Sequence, residues 1–169
     1  MQRSPEVEAE LEDLRVSPIP REMRELVERA SPEQLAFRPA PGEWSIVEIL
    51  RHLGDNEAMR HLRLDRILAE DNPILTVPTP TPGERESEDA LVLLARWECL
   101  RAQLYDRLNA MSEEEWRRGG TQAPDPQVNR TVNEPTTILI QATRINHHAA
   151  RHLEQMRENL EACQRRQSS

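Results

Sequence analysis

Three times in this chain a serine is followed, three residues later, by Glu or Gln: Ser31-Pro32-Glu33-Gln34, Ser45-Ile46-Val47-Glu48 and Ser112-Glu113-Glu114-Glu115. Each is a capping box, in which the serine oxygen accepts from the third helical amide and the Glu or Gln reaches back to the serine amide. In the first, Pro32 falls at the first helical position, where its missing N–H costs nothing. Such starts, followed by apolar residues at a spacing of three and four, commit the chain to helix, and signals for strand are weak.

Four long helices follow from this reading. The first spans about Pro20 to Arg29, preceded by a separate turn around Val7 to Leu14. The second lasts from after Ser45 to about Ala69, the third from near Glu88 to about Asn109, and the fourth from near Glu134-Pro135 to about Ala162. Short capped turns follow Ser31 and Ser112. Asp71 to Glu86, with Pro73, Pro78, Pro80, Pro82 and Gly83, and Gly119 to Asn129, with a double glycine, Pro124 and Pro126, read as loops. The expected fold is an all-α four-helix bundle, formed by one domain over 1–169 with its core at about 19–162. In such bundles, sites are built from side chains on facing helices.

Composition narrows the function classes. The net charge of −8 opposes a nucleic-acid partner, because arginines are interleaved with carboxylates, as in Arg21-Glu22-Met23-Arg24-Glu25. All 22 basic residues are arginine, which excludes Schiff-base chemistry and a P-loop lysine. Two cysteines, no apolar leader and no membrane-length run lead to the expectation of a cytoplasmic protein with no membrane partner. Cys99 reads as a small apolar filler, and Cys163 as incidental in a frayed C-terminal turn.

The five histidines carry the candidate chemistry. At about 100° per residue, Ile138, Ala142, Ile145, Ala149, Leu153, Met156 and Leu160 share one arc of the fourth helix. His152 lies within that arc and His148 on its flank, one turn apart, while His147 falls on the opposite, solvent side. Two inward imidazoles at this spacing suit a divalent metal better than a pair of hydrogen-bonded core histidines. A third ligand must come from elsewhere. On the second helix, Ile46, Ile49, Leu50, Leu53, Leu64, Ile67 and Leu68 define the core face, with His52 on one flank beside Asn56 and His61 on the other. Periodicity does not choose between them.

The run Pro39-Ala40-Pro41-Gly42-Glu43-Trp44-Ser45-Ile46-Val47-Glu48-Ile49-Leu50-Arg51-His52-Leu53 resembles the opening signature of the DinB-like superfamily. His148-Ala149-Ala150-Arg151-His152-Leu153-Glu154-Gln155 is similar to its closing His-x-x-x-His-x-x-Gln. Relatives frequently carry a small residue where Glu154 stands, a departure that points away from the site. The resemblance implies an up-down-down-up bundle with a divalent metal, zinc or nickel, held by His52, His148 and His152. It also implies homodimerisation and kinship with thiol S-transferases and mycothiol-dependent maleylpyruvate isomerases. The expected activity is therefore metal-dependent transfer of a low-molecular-weight thiol to an electrophile. A metal-dependent hydrolase and a non-catalytic dimeric stress or interaction module are the alternatives. Three imidazoles leave a coordination position open, as in catalytic zinc sites, where a bound water or thiol loses its proton near neutral pH. Asn56, Arg144 and Gln155 are candidates for supporting the ligands or substrate. Trp44 is expected to staple the second helix to the bundle, and Glu57 is set aside as a base because it projects about 140° from His52.

Overall fold

A computed structural model of the chain describes residues 3–76, 89–125 and 130–168. Helices α1 (Pro5–Val16) and α2 (Ile19–Arg29) run end to end. They are separated at Ser17-Pro18, where Ser17 takes the extended conformation that a following proline favours. After the single turn α3 (Pro32–Ala36), α4 (Ile46–Ala69), α5 (Ala90–Ala110) and α7 (Ile138–Gln167) complete the long helices, with the short α6 (Glu113–Arg117) between the last two. All three capping boxes form, with both reciprocal bonds present in each. The box at Ser45 matters most, because it fixes where α4 begins and hence which way His52 points. Ser45→Ala is expected to cost about 1 kcal/mol of unfolding free energy, measurable by urea denaturation.

Cross-helix contacts give the direction of each helix. Arg3 bonds Asn109 and Arg24 bonds Glu98, so α1–α2 runs antiparallel to α5. Asp13 meets Asn146 and Glu22 meets Arg157, so the same pair runs parallel to α7. Asp55 meets Arg96 and Asp65 meets Arg107, which makes the neighbours α4 and α5 parallel. Arg60 reaches the Gln141 carbonyl while His52 meets His148, so α4 and α7 are antiparallel. The order is up-down-down-up. Two parallel neighbours cannot be joined by a tight turn, which accounts for the long connection between Ala69 and Ala90.

The interior divides into two apolar halves. Met23, Val27, Ile49, Leu50, Leu53, Leu94, Trp97, Leu153 and Met156 fill one. Leu11, Leu64, Ile67, Leu104, Leu108, Trp116, Ile138 and Ile145 fill the other. The apolar arcs read on α4 and α7 are these core faces.

Several expectations need correction. α5 starts at Ala90 with Asp89 as its cap, within two residues of the expected start near Glu88, and Glu88 lies outside the described residues along with 77–87 of the proline-rich connection. The expected separate turn at Val7 to Leu14 is a full helix. A small sheet also exists: β1 (Ile74–Leu75) pairs in parallel with β2 (Gly119–Gln122), and β2 pairs antiparallel with β3 (Glu134–Thr137). Both sequences that were read as loops contribute to it, although 126–129 lie outside the described residues. The double glycine is the reason. A Cβ at Gly119 would stand 2.0 Å from the Thr136 carbonyl oxygen, and one at Gly120 2.6 Å from that of Pro73. Glycine is needed for close backbone approach rather than for a turn. The start of α7 therefore moves from Glu134-Pro135 to Ile138. Finally, Cys99 is exposed and Cys163 is buried in the still regular end of α7, the reverse of the expectation for both.

Candidate metal centre

The early turns of α4 and the middle of α7 meet where the antiparallel pair crosses. There the His52 and His148 Nε2 atoms lie 3.2 Å apart, and His152 Nε2 lies 3.2 Å from His148 Nε2. The three residues offer ring nitrogens that all fall within 4.8 Å of one another, the one such trio among the described residues. Two nitrogens on a tetrahedral zinc at about 2.05 Å would be about 3.3 Å apart. The observed spacing matches that of a ligand set.

Hydrogen bonding alone does not account for this convergence. Gln155 Oε1 lies 3.0 Å from His152 Nδ1, so Nδ1–H donates to it and Nε2 keeps its lone pair. A single ring nitrogen carries either a proton or a lone pair. His148 Nε2 thus satisfies at most one of its two close neighbours by a linear hydrogen bond. The three ring nitrogens lie close enough together to share one partner, and an electron-pair acceptor between them would satisfy the set.

Electrostatics favour the ligating form. Burial, then the neighbouring His152, pushes His52 down to about 4, and burial with His152, Arg60 and His52 pushes His148 down to about 3. His152 is lowered mainly by burial, against the opposing bond to Gln155. All three are neutral at pH 7. In an unfolded chain, histidine titrates near 6.5. Below that pH the unfolded state binds protons that the folded state refuses, so these residues subtract stability progressively as pH falls from about 6.5 towards 4. The denaturation midpoint of the metal-free protein is expected to fall more steeply between pH 6.5 and 5 than that of His148→Asn.

Trp44, just before the Ser45 cap, closes one side. Its ring centroid is 4.8 Å from that of His52 and stacks 6.1 Å from that of His152. Its carbonyl accepts from Asn159 Nδ2 at 2.7 Å, which is the stapling bond. With 40% of its surface exposed, the indole forms one wall of the centre at the protein surface. The three histidines are themselves half-buried.

The other candidates separate cleanly. His61 is turned to the opposite helix, with Nε2 2.9 Å from the Leu100 carbonyl and Nδ1 3.0 Å from Arg107 Nη1. It pins α4 to α5 and belongs to no ligand set. His147 is exposed, as the wheel indicated. Gln155 orients a histidine, whereas Arg144 bonds Gln122 Oε1 at 3.2 Å instead of a histidine. Asn56 is half-buried on the His52 stripe of α4, one turn further along. Glu57, set aside as a base, indeed lies away from the histidines, but its role as a buried charge and that of Arg101 were not read from the sequence. Glu57 lies between Arg60 (3.5 Å) and Arg101 (3.6 Å), its side chain 5% exposed. Its place on the helix, beside the core residues Leu53 and Leu64, was the available signal.

Comparison with known proteins agrees with this geometry. The family model for the DinB superfamily matches residues 19–156. The chain belongs to the DinB superfamily. Among solved structures, this DinB-superfamily chain is similar to YfiT from Bacillus subtilis, described as a probable metal-dependent hydrolase with an unusual four-helix bundle topology. The two share 19% sequence identity and superpose with a TM-score of 0.75, over 94% of this chain and 88% of YfiT. No curated protein matches the sequence. Within the DinB fold, the matched region contains all three converging histidines, and it ends at Met156, one residue after Gln155.

Proposed function

We propose that the chain is a metal-dependent enzyme in which His52, His148 and His152 hold one divalent ion, zinc or nickel, and that it transfers a low-molecular-weight thiol to an electrophile. The observation that carries this reading is the gathering of three neutral, half-buried imidazoles whose ring nitrogens lie within 4.8 Å of one another. A divalent ion at that point supplies Lewis-acid activation of a small nucleophile, without any nucleophilic side chain. The chain's own residues do the rest. Gln155 holds the His152 tautomer, burial keeps the imidazoles unprotonated, and the Trp44 indole offers an apolar wall to an incoming substrate. Exposed Cys99 sits on α5 and takes no part in the cluster.

Metal analysis of protein purified without a histidine tag is expected to give one zinc or nickel per chain, with turnover of an electrophile that requires added thiol. Absence of first-row metal, together with no affinity for either ion, would sink the reading and leave the non-catalytic module. The second reading is hydrolysis, favoured by the likeness to YfiT, and it predicts turnover without thiol. No helix among the described residues is long and apolar enough to cross a membrane. A cytoplasmic location is part of the proposal and is supported by the low cysteine content. Homodimerisation rests on the family resemblance and is checked by light scattering.

A further inference from the structure

The seam between α4 and α7 that holds the histidines runs on towards the sheet, and the side chains along it become cationic on the way. On α4, His52, Asn56 and Arg60 follow one another at intervals of four, with Arg63 three residues on. On the antiparallel α7, His148, Arg144 and Gln141 lie at successive turns, and Arg60 Nη1 donates to the Gln141 carbonyl at 3.2 Å. Beyond them, Gln122 Oε1 on β2 accepts from Arg130 at 2.7 Å and from Arg144 at 3.2 Å, which brings two guanidiniums onto one neutral oxygen. Burial, and then the charges of Arg60, Arg130 and Arg144 against the opposing Asp125, disfavour the Arg63 cation. Its Nε is buried and has no hydrogen-bond partner among the described residues.

Such a concentration of guanidiniums is out of keeping with a chain of net charge −8. Among the described residues named around it, two carboxylates offset the four arginines. Asp125 lies 3.7 Å from Arg130, and Glu57 is shared between Arg60 and Arg101. Mutual repulsion and a buried unpartnered donor both have a cost, and a bound anion relieves both.

We propose that Arg60, Arg63, Arg130 and Arg144 form a binding site for an anionic group of the substrate, a carboxylate or a phosphate. Along α4 and α7 its arginines lie one to three helical turns from the histidines, about 6 Å for Arg144, about 12 Å for Arg60 and about 16 Å for Arg63. The site stands on the arginines alone. Its assignment to the substrate of the metal centre rests on the proposed function: the anion would anchor the molecule while its reactive end reaches the histidines, with Asn56 between.

The test uses the full chain with its metal removed by chelation, titrated at low ionic strength with inorganic phosphate and, separately, with succinate. Saturable binding of at least one probe is expected, and which one saturates identifies the anion class. Arg63→Gln should weaken it about tenfold, and Arg144→Gln, at an exposed position with little bearing on folding, several-fold. His148→Ala should bind as the parent does. The proposal is overturned if neither probe saturates, if Arg144→Gln and a folded Arg63→Gln bind like the parent, or if His148→Ala abolishes binding. Because no metal is present in the measurement, failure of the metal-centre reading leaves its outcome unaffected.

Discussion

His148→Ala is expected to weaken zinc or nickel binding on the order of a thousandfold or more. His148 Nε2 is the hinge of the trio, 3.2 Å from each of its partners, so its removal leaves His52 and His152 without the nitrogen between them. Loss of an outer partner of a metal ligand typically lowers affinity by about 10–100-fold, and loss of a ligand must exceed that. Gln155→Ala, which frees the His152 ring but keeps its nitrogen, provides this smaller effect as an internal standard. Exposed His147→Ala and helix-bridging His61→Ala should bind metal as the parent does. Competition against a chromophoric chelator measures all four. A second readout follows from linkage: an ion at a hundred times its dissociation constant stabilises the folded state by about 2.7 kcal/mol. For a chain of this size that raises Tm by roughly 5–10 °C. The shift should vanish in His148→Ala at the same ion concentration. If His61→Ala rather than His148→Ala removes it, the ligand assignment is wrong.

The contrast between His52 and His61 shows how far sequence alone could go. Both flank the apolar face of α4 at comparable angles, and nothing local distinguishes them. What separates them is which helix lies against each flank: α7 against His52 and α5 against His61. That is a tertiary fact, and the resemblance to a family supplied it where periodicity did not. Helix boundaries were legible wherever a side chain made the boundary, as at Ser31, Ser45 and Ser112. The sheet was hidden because β2 begins with two glycines that β-propensity counts against it, and β3 contains a proline. Buried charge was hidden for a similar reason. Arginines distributed among glutamates read as a solvated surface, and sequence does not show that Glu57, Arg60 and Arg101 pair inward while Arg15 and Glu12 pair outward.

Glu57→Ala should test that inward layer by lowering unfolding stability by about 3–5 kcal/mol, the usual cost of removing one partner of a buried ion pair. The carboxylate lies midway along α4, where the two apolar halves of the bundle meet. It faces Arg60 and Arg101, and Arg101 also bonds Asn146, which in turn donates to Asp13 on α1. Four helices are thereby tied into one network, with the Glu57 carboxylate as its buried member. Glu57 Oε2 and Arg101 Nη1 make no well-formed hydrogen bond, so the attraction is mainly Coulombic, and the cost of the variant is that of two cations left together in the interior. Glu57→Gln preserves shape and removes charge, so it should lose most of the same stability. Arg101→Met placed in the Glu57→Leu background should recover part of it, because an apolar layer of similar volume avoids the desolvation cost altogether. Urea denaturation of the set decides the matter: a loss below about 1 kcal/mol for Glu57→Ala would mean the layer is solvated. The consequence for the metal centre follows from geometry. Arg60 couples the layer to the Gln141 carbonyl on α7, two turns before His148, so loosening α4 against α7 also loosens His52 against its two partners. Metal affinity in folded Glu57→Ala should therefore fall although no ligand has changed, and by less than in His148→Ala.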